Sequence, residues 1–381
     1  MKARVMVFVL AVLLGGPVVA DSLLIQNGRI HTQGPAGVIE RGSILIENGR
    51  IRAVGATIPV PAGAQVIDAT NRIVTPGFFD PLSVVGLIES VEDEANDASG
   101  AASADEIADA VNFNSPSVAI DRRQGVTRAV VTPRLGKSLI GGVSALVRLT
   151  GAPDMVFERH ASLNLLLGEA GATGAGGSRA GTLARLQAAS ADASIKDAVA
   201  RKVPIVVAVD READIRLLIP FAREHGWNLI VAGGAEAWRA ASVLAQAKVP
   251  VIVRPTENLP NRWELMGATL ANAARLNAAG VRIAFAQAEG DIAPPLSQLA
   301  GVAVAHGLPW EQGLAAVTSN PARMWGVADR LGSLQVGYVA DVVVWDGDPL
   351  ETTSAPVTVI IEGIVTSLTS RQTELRDRYL K

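Results

Sequence analysis

The chain has 381 residues, 49% of them apolar, with 37 glycines, no cysteine and a formal net charge of −3. That is enough apolar material for a barrel-sized core plus an appendage, and it excludes a disordered chain. Lack of cysteine removes disulfides, zinc–thiolate sites and thiol catalysis. The faintly acidic balance offers no footprint for nucleic acid or an anionic membrane.

Residues 1–20 read as a signal peptide. Lys2 and Arg4 form a basic start, residues 5–14 an apolar run too short to span a bilayer, and Gly15, Gly16 and Pro17 break it. Cleavage is expected after Ala20, with export to the periplasm or the medium. No later run of apolar residues is long enough to cross a membrane. Residues 22–66 then alternate short apolar runs with turn residues, among them Asn27-Gly28 and Asn48-Gly49, which predict hairpins in a small β domain. Further strands are expected at 340–346 and 357–368. The two ends therefore predict one composite β-sandwich domain, from residues 21–74 and 331–371.

Between them, strand-like runs alternate with helical patterns, as in βαβ units. Strands are predicted at 73–80, 127–133, 145–149, 163–168, 204–210, 228–234, 250–254 and 281–287. The clearest helices fall at 211–225, 235–247, 262–279 and 296–306, and the glycine-rich stretch 168–181 reads as a loop. Eight strands in this span predict an α/β fold, a (β/α)8 TIM-like barrel over residues 75–330. A doubly wound sheet is the alternative, but no Gly-x-Gly-x-x-Gly opens a helix and no Gly-Lys-Ser/Thr phosphate loop occurs.

Pro76-Gly77-Phe78-Phe79-Asp80 resembles the start of the barrel in the amidohydrolase superfamily. Thr318-Ser319-Asn320-Pro321-Ala322-Arg323 and the run Gly332-Ser333-Leu334, Gly337, Ala340-Asp341, Asp348-Pro349 resemble its C-terminal pattern. The resemblance implies hydrolysis of carbon–nitrogen bonds other than peptide bonds, with Zn or a similar divalent metal. It also implies His-x-His after strand one, a carboxylated Lys on strand four, His on strands five and six, and Asp on strand eight. Those positions hold Leu82 and Val84, a strand without Lys, Ala208, Gly233 and Ala288. The four histidines lie elsewhere: His31 in the N-terminal β region, His160 before its strand, and His225 and His306 at helix ends before glycines. Surface or capping roles suit all four, since cations favour helix carboxyl ends, and no Ser-His-Asp triad can be assembled. The expectation is a divergent or inactive member without a metal centre and with no cofactor. The alternative is a non-catalytic periplasmic binding or scaffold protein, a homo- or hetero-oligomer that could pair with a metal-bearing relative.

Polar residues remain where the strands of such a barrel end and catalysis sits. Asp80, Glu169, Asp210 and Arg254 are the candidates for work on a small polar ligand, with Arg134, Lys137, Arg211, Glu212, Glu236, Glu289 and Asp291 around them. The plainer reading is that acids here cap first helical turns or pair with nearby arginines. The acidic stretch 89–97 lacks the spacing of a calcium loop and reads as solvated.

Overall fold

The computed structural model describes residues 22–88, 107–134, 136, 138–286 and 294–380. The expected signal segment, the acidic stretch, Lys137, Ala288, Glu289 and Asp291 lie outside these residues.

The N-terminal strands are β1 (Ser22–His31), β2 (Val38–Glu47), β3 (Arg50–Gly55), β4 (Gln65–Asp68) and β5 (Ile73–Pro76). Asn48-Gly49 closes the β2–β3 hairpin, with both residues at positive φ (51° and 75°) and Glu47 opposite Arg50, as a two-residue primed turn requires. Asn27-Gly28 behaves differently. It makes no hairpin but an irregularity inside β1, whose first half pairs with β4 and whose second half pairs with β5. Gly28 is needed there for close approach, since a Cβ would sit 2.7 Å from a methyl of Val74.

The barrel strands follow as β6 (Phe78–Ser83), β7 (Val126–Val131), β8 (Ile140–Arg148), β9 (Val156–Leu166), β10 (Ile205–Val209), β11 (Leu229–Gly233), β12 (Val251–Val253) and β13 (Ile283–Phe285). They form one sheet in chain order, with β6 and β13 in contact at its ends, so the barrel is nearly closed. Eight strands stand where eight are predicted, but one runs the other way. β8 is antiparallel to both β7 and β9, while the other neighbours pair in parallel. Residues 132–139 and 149–155 are all that join these three strands. A parallel crossover needs about a dozen residues or more, so the chain turns back as a meander instead. The stretch 168–181 also differs from expectation. Helices Gly168–Gly174 and Arg179–Ala189 occupy most of it, and Gly171 lies so close to the Leu166 carbonyl that a Cβ would approach its oxygen to 2.6 Å.

Every barrel strand contributes to the cluster inside: Phe79, Val130, Leu146, Ala161, Val206, Ile230 with Ala232, Ile252 and Ala284. Ala322, Met324, Trp325, Val327 and Leu331 join that cluster from the C-terminal segment. The lumen is therefore filled rather than open, as in other barrels of this class.

The chain then returns to the first sheet as β14 (Val342–Trp345), β15 (Pro356–Ile361) and β16 (Ile364–Val365). β14 lies antiparallel along β5, with Val342 opposite Pro76 and Trp345 opposite Ile73. Both ends thus build a single eight-stranded sheet. A single glycine separates it from the barrel: β5 ends at Pro76, β6 begins at Phe78, and the Gly77 N–H donates to the Asp341 carbonyl (3.0 Å). Trp345 is buried against Phe78 (ring centroids 5.0 Å apart) and donates its indole N–H to Thr75 Oγ1 (2.9 Å). Arg128 of β7 holds both carboxylate oxygens of Asp341 (2.6 and 3.1 Å) and one of Glu362 (3.0 Å).

Replacing Arg128 with Ala leaves Asp341 buried without its cation, which costs about 3–5 kcal/mol in comparable buried pairs. Urea denaturation of Arg128→Ala against the parent chain is the measurement, with a loss of that order expected.

Candidate functional site

The carboxyl ends of β9 to β12 carry a charged cluster. Asp210 follows β10 and is buried. One of its oxygens accepts the Ala235 N–H (3.2 Å) and the other faces Arg262 Nη2 (3.5 Å). Arg254, at the end of β12, reaches Glu257 (3.4 Å), which also lies 3.8 Å from Arg262. Glu264 is buried, and its Oε1 accepts the backbone N–H of Glu169 (2.6 Å). Burial raises the carboxyls of both Glu257 and Glu264, and Asp210 adds to each shift, while Arg254 and the Glu169 N–H respectively act against them.

Of the four candidates, Asp210 and Arg254 are brought together here, linked through Glu257 and Arg262. Glu169 contributes its backbone N–H, while its side chain is exposed. Glu236 and Glu212 are structural, as the plainer reading holds. Glu236 accepts the Glu212 N–H (3.1 Å) and pairs with Arg239 (3.0 Å), and Glu212 pairs with Arg216 (2.8 Å).

Asp80 is not at the mouth. It stands beside Ala129 in the ladder, on the side of β6 that carries Phe78 into the outer core, not on the side of Phe79. Its charge neighbour is Asp121 on the helix Pro116–Arg123 outside the barrel, and its carboxyl accepts from the Leu82 N–H (3.1 Å) and the Ser83 hydroxyl. The alternation of a strand explains the correction: a one-residue step exchanges lumen for outer face.

Arg262 and Glu264 fall where a helix is expected over 262–279, and Glu257 falls in the connection before it. The observed helix is Asn272–Ala278, preceded by the single turn Trp263–Leu265. Tertiary contacts override the helical pattern: Glu264 is taken by the Glu169 N–H, and the Gly267 carbonyl by the Trp238 indole N–H (2.8 Å). Pro255 and Pro260 were the available signal that strand and helix are joined by a long loop.

The histidines also settle into place. His225 and His306 terminate helices and bond back through Nδ1 to the carbonyls of Phe221 (2.9 Å) and Val302 (2.8 Å). His160 lies within β9 rather than before it. His31 is buried, not at the surface: it meets Glu311 (3.0 Å) and the Trp310 ring (4.5 Å), and burial depresses its pKa.

Leu82 packs against the luminal cluster and Val84 is 36% exposed. Ala208 ends a luminal face with no donor atom. On β9, Asn164 alternates with the outward Leu163 and Leu165, and its amide donates to Ser144 Oγ (2.8 Å) and the Gly142 carbonyl (3.0 Å). Gly233 has φ +87°, and a Cβ there would meet Asp210 Oδ1 at 2.5 Å. No side chain fits at 233 unless Asp210 moves, so these residues do not fit a metal centre of the implied kind. Among the described residues no group of three or more His, Cys, Asp or Glu could hold a metal ion.

A nearly closed eight-stranded barrel sheet, joined to a sheet made from both chain ends and bearing its polar groups at the strand carboxyl ends, is the architecture of metal-dependent hydrolases of the TIM-like type. A sequence model of the Amidohydrolase family matches residues 180–369. An amidohydrolase from Thermotoga maritima MSB8 shares 26% identity and a TM-score of 0.80, over 91% of this chain and 99% of that one. An adenosine deaminase from Xanthomonas campestris with bound zinc shares the fold at 18% identity and a TM-score of 0.58, over 95% and 97% of the two chains. Amidohydrolase tasK of Hapsidospora irregularis is 50% identical over 58 residues, which are 15% of this chain and only 6% of that protein. The chain belongs to the amidohydrolase superfamily.

Asp80 provides a test of its outward burial. Its carboxyl is raised to about 8 from an ordinary 3.8, first by burial and then by Asp121, which burial itself raises to about 7. Between 3.8 and about 8 the folded chain holds a proton that the unfolded chain releases, so this group makes stability fall as pH rises. The slope is about 1.4 kcal/mol per pH unit within that window. Asp80→Asn is expected to flatten the decline and to be the more stable protein at pH 7.5, with the advantage disappearing towards pH 4, measured by urea denaturation across pH.

Proposed function

We propose that this chain is a divergent amidohydrolase whose barrel mouth binds a small polar ligand without a metal centre. The observation that carries this reading is the Gly233–Asp210 contact. Where strand six would project an imidazole, a left-handed glycine stands and the Asp210 carboxylate fills the side-chain space. The mouth is thus occupied by an alternative polar arrangement, with Arg254, Glu257, Arg262 and Glu264 around Asp210. The bond type implied is a non-peptide carbon–nitrogen bond: a water would add to its carbon as the carbon–nitrogen bond breaks, and Glu257, whose carboxyl burial raises, would give its proton to the leaving nitrogen. The expected outcome of metal analysis on purified protein is substoichiometric Zn, Fe and Mn, with a melting temperature unchanged by chelator. One tightly bound equivalent of any of these would overturn the reading.

A second reading, a binding or scaffold protein that partners a metal-bearing relative, is favoured by one feature of the same rim. Trp263 is 78% exposed, and Leu259 and Met266 on its loop are exposed as well. It predicts no turnover on an amide, lactone or dipeptide panel, together with a melting temperature raised by the partner chain. We further infer that residues 1–20 are removed on export, that the barrel expected over 75–330 ends near 330 while Thr75 and Pro76 belong to β5 of the first sheet, and that this sheet, built from 21–76 and 331–371, curls on itself as a sandwich. Among the described residues no helix is long and apolar enough to cross a membrane.

A further inference from the structure

We propose that the mouth selects an organic cation, a primary ammonium or guanidinium group on an apolar body, seated on the free oxygen of Glu264. This deepens the reading of the mouth as a metal-free ligand site and rests on it.

Glu264 is 5% exposed, yet only its Oε1 is engaged, by the Glu169 N–H at 2.6 Å. Among the described residues Oε2 has no hydrogen-bond partner, and no Lys, Arg or His lies within ion-pair distance of this carboxylate; Oε2 is not fully enclosed, so a ligand can reach it. The Glu264 carboxylate itself fills the side-chain space left by Gly168 (φ +75°), where a Cβ would meet Oε1 at 2.6 Å and Oε2 at 3.0 Å. Charge around it is unbalanced. Asp210 from the end of β10 and Glu169 from the helix after β9 both push the Glu264 carboxyl up, after burial itself, and Arg262 acts only at longer range. The two arginines are already committed: Arg254 to Glu257 (3.4 Å), Arg262 to Asp210 (3.5 Å) and Glu257 (3.8 Å).

A buried carboxylate with an open lone pair and like-charged neighbours is completed by a donor that also carries positive charge. Water would supply the hydrogen bond without the charge. A bare metal ion would need a set of ligands that the described residues do not group together. An ammonium or guanidinium supplies both charge and donors from a single group. The apolar part of the ligand follows from the rim, where Trp263, Leu259 and Met266 stand exposed on the loop that carries Glu264. An exposed indole also favours a cation over its face.

Calorimetric titration of the full chain with 2-phenylethylammonium and phenylguanidinium tests this, with phenylacetamide and phenylacetate as neutral and anionic counterparts. Both cations are expected to bind, and Glu264→Gln, which keeps an acceptor for the Glu169 N–H, to weaken them about tenfold or more, the worth of one charge-assisted hydrogen bond. Arg262→Ala removes the positive charge that acts on Glu264 from longer range and is expected to tighten them several-fold. Should Glu264→Gln fold poorly, the parent protein still reports: its cation affinity is expected to fall as pH is lowered through the raised Glu264 carboxyl. Cations that bind Glu264→Gln as tightly as the parent, or that fail to bind the parent, would overturn the proposal. Phenylacetamide or phenylacetate binding in their place would overturn it while leaving a ligand-binding mouth, and the metal analysis decides the metal-free reading separately.

Discussion

The structure depends on the pairing of β14 with β5, one residue before the barrel begins. It brings a strand from the C-terminal end of the chain against one from its start, with Val342 opposite Pro76. The next peptide is tied down by the Gly77 N–H bond to Asp341, and Asp341 is held by Arg128 from the second barrel strand. The first two barrel strands are thereby oriented relative to the composite sheet. Gly77 is required at this seam because a Cβ would overlap the side chain of Thr127. A buried ion pair is not itself a large source of stability; here it sets which strand lies where.

With the lumen filled by apolar side chains from every strand and by Ala322, Met324 and Trp325, the charged groups gather at the strand carboxyl ends. There Asp210 governs the arrangement. It sits in the space a side chain at 233 would need, accepts the N–H that starts the next loop, and faces Arg262. Carboxylates and arginines so placed create a polar mouth whose charges mostly satisfy one another. Glu264 is the member left incomplete on one oxygen.

Much of the barrel is legible in the sequence, for identifiable reasons. Strands such as β10 and β11 are short, nearly all-apolar runs buried on both faces, and they fall within a residue or so of the predicted bounds. The direction of β8 is not a matter of composition, and only its short connections carried the information. Asp80 reads as a mouth residue in the sequence because sequence order marks the end of a strand but not the face a side chain takes. Arg262 and Glu264 sit in a stretch whose apolar pattern suits a helix, while the contacts that prevent the helix come from residues far away in the chain.

What the sequence determined by itself was the superfamily, the number of barrel strands and the residue types at the expected ligand positions, because these reside in local runs and in fixed spacings. Tertiary structure alone decided that Glu264 belongs with Asp210 and Glu169, that Asp80 faces Asp121 outside the barrel, and that a side chain at 233 has no room. Each of these is a contact between distant stretches of chain. Its energy is set by burial and by the charges that arrive from other strands, and neither is a property of the residue or its neighbours in sequence.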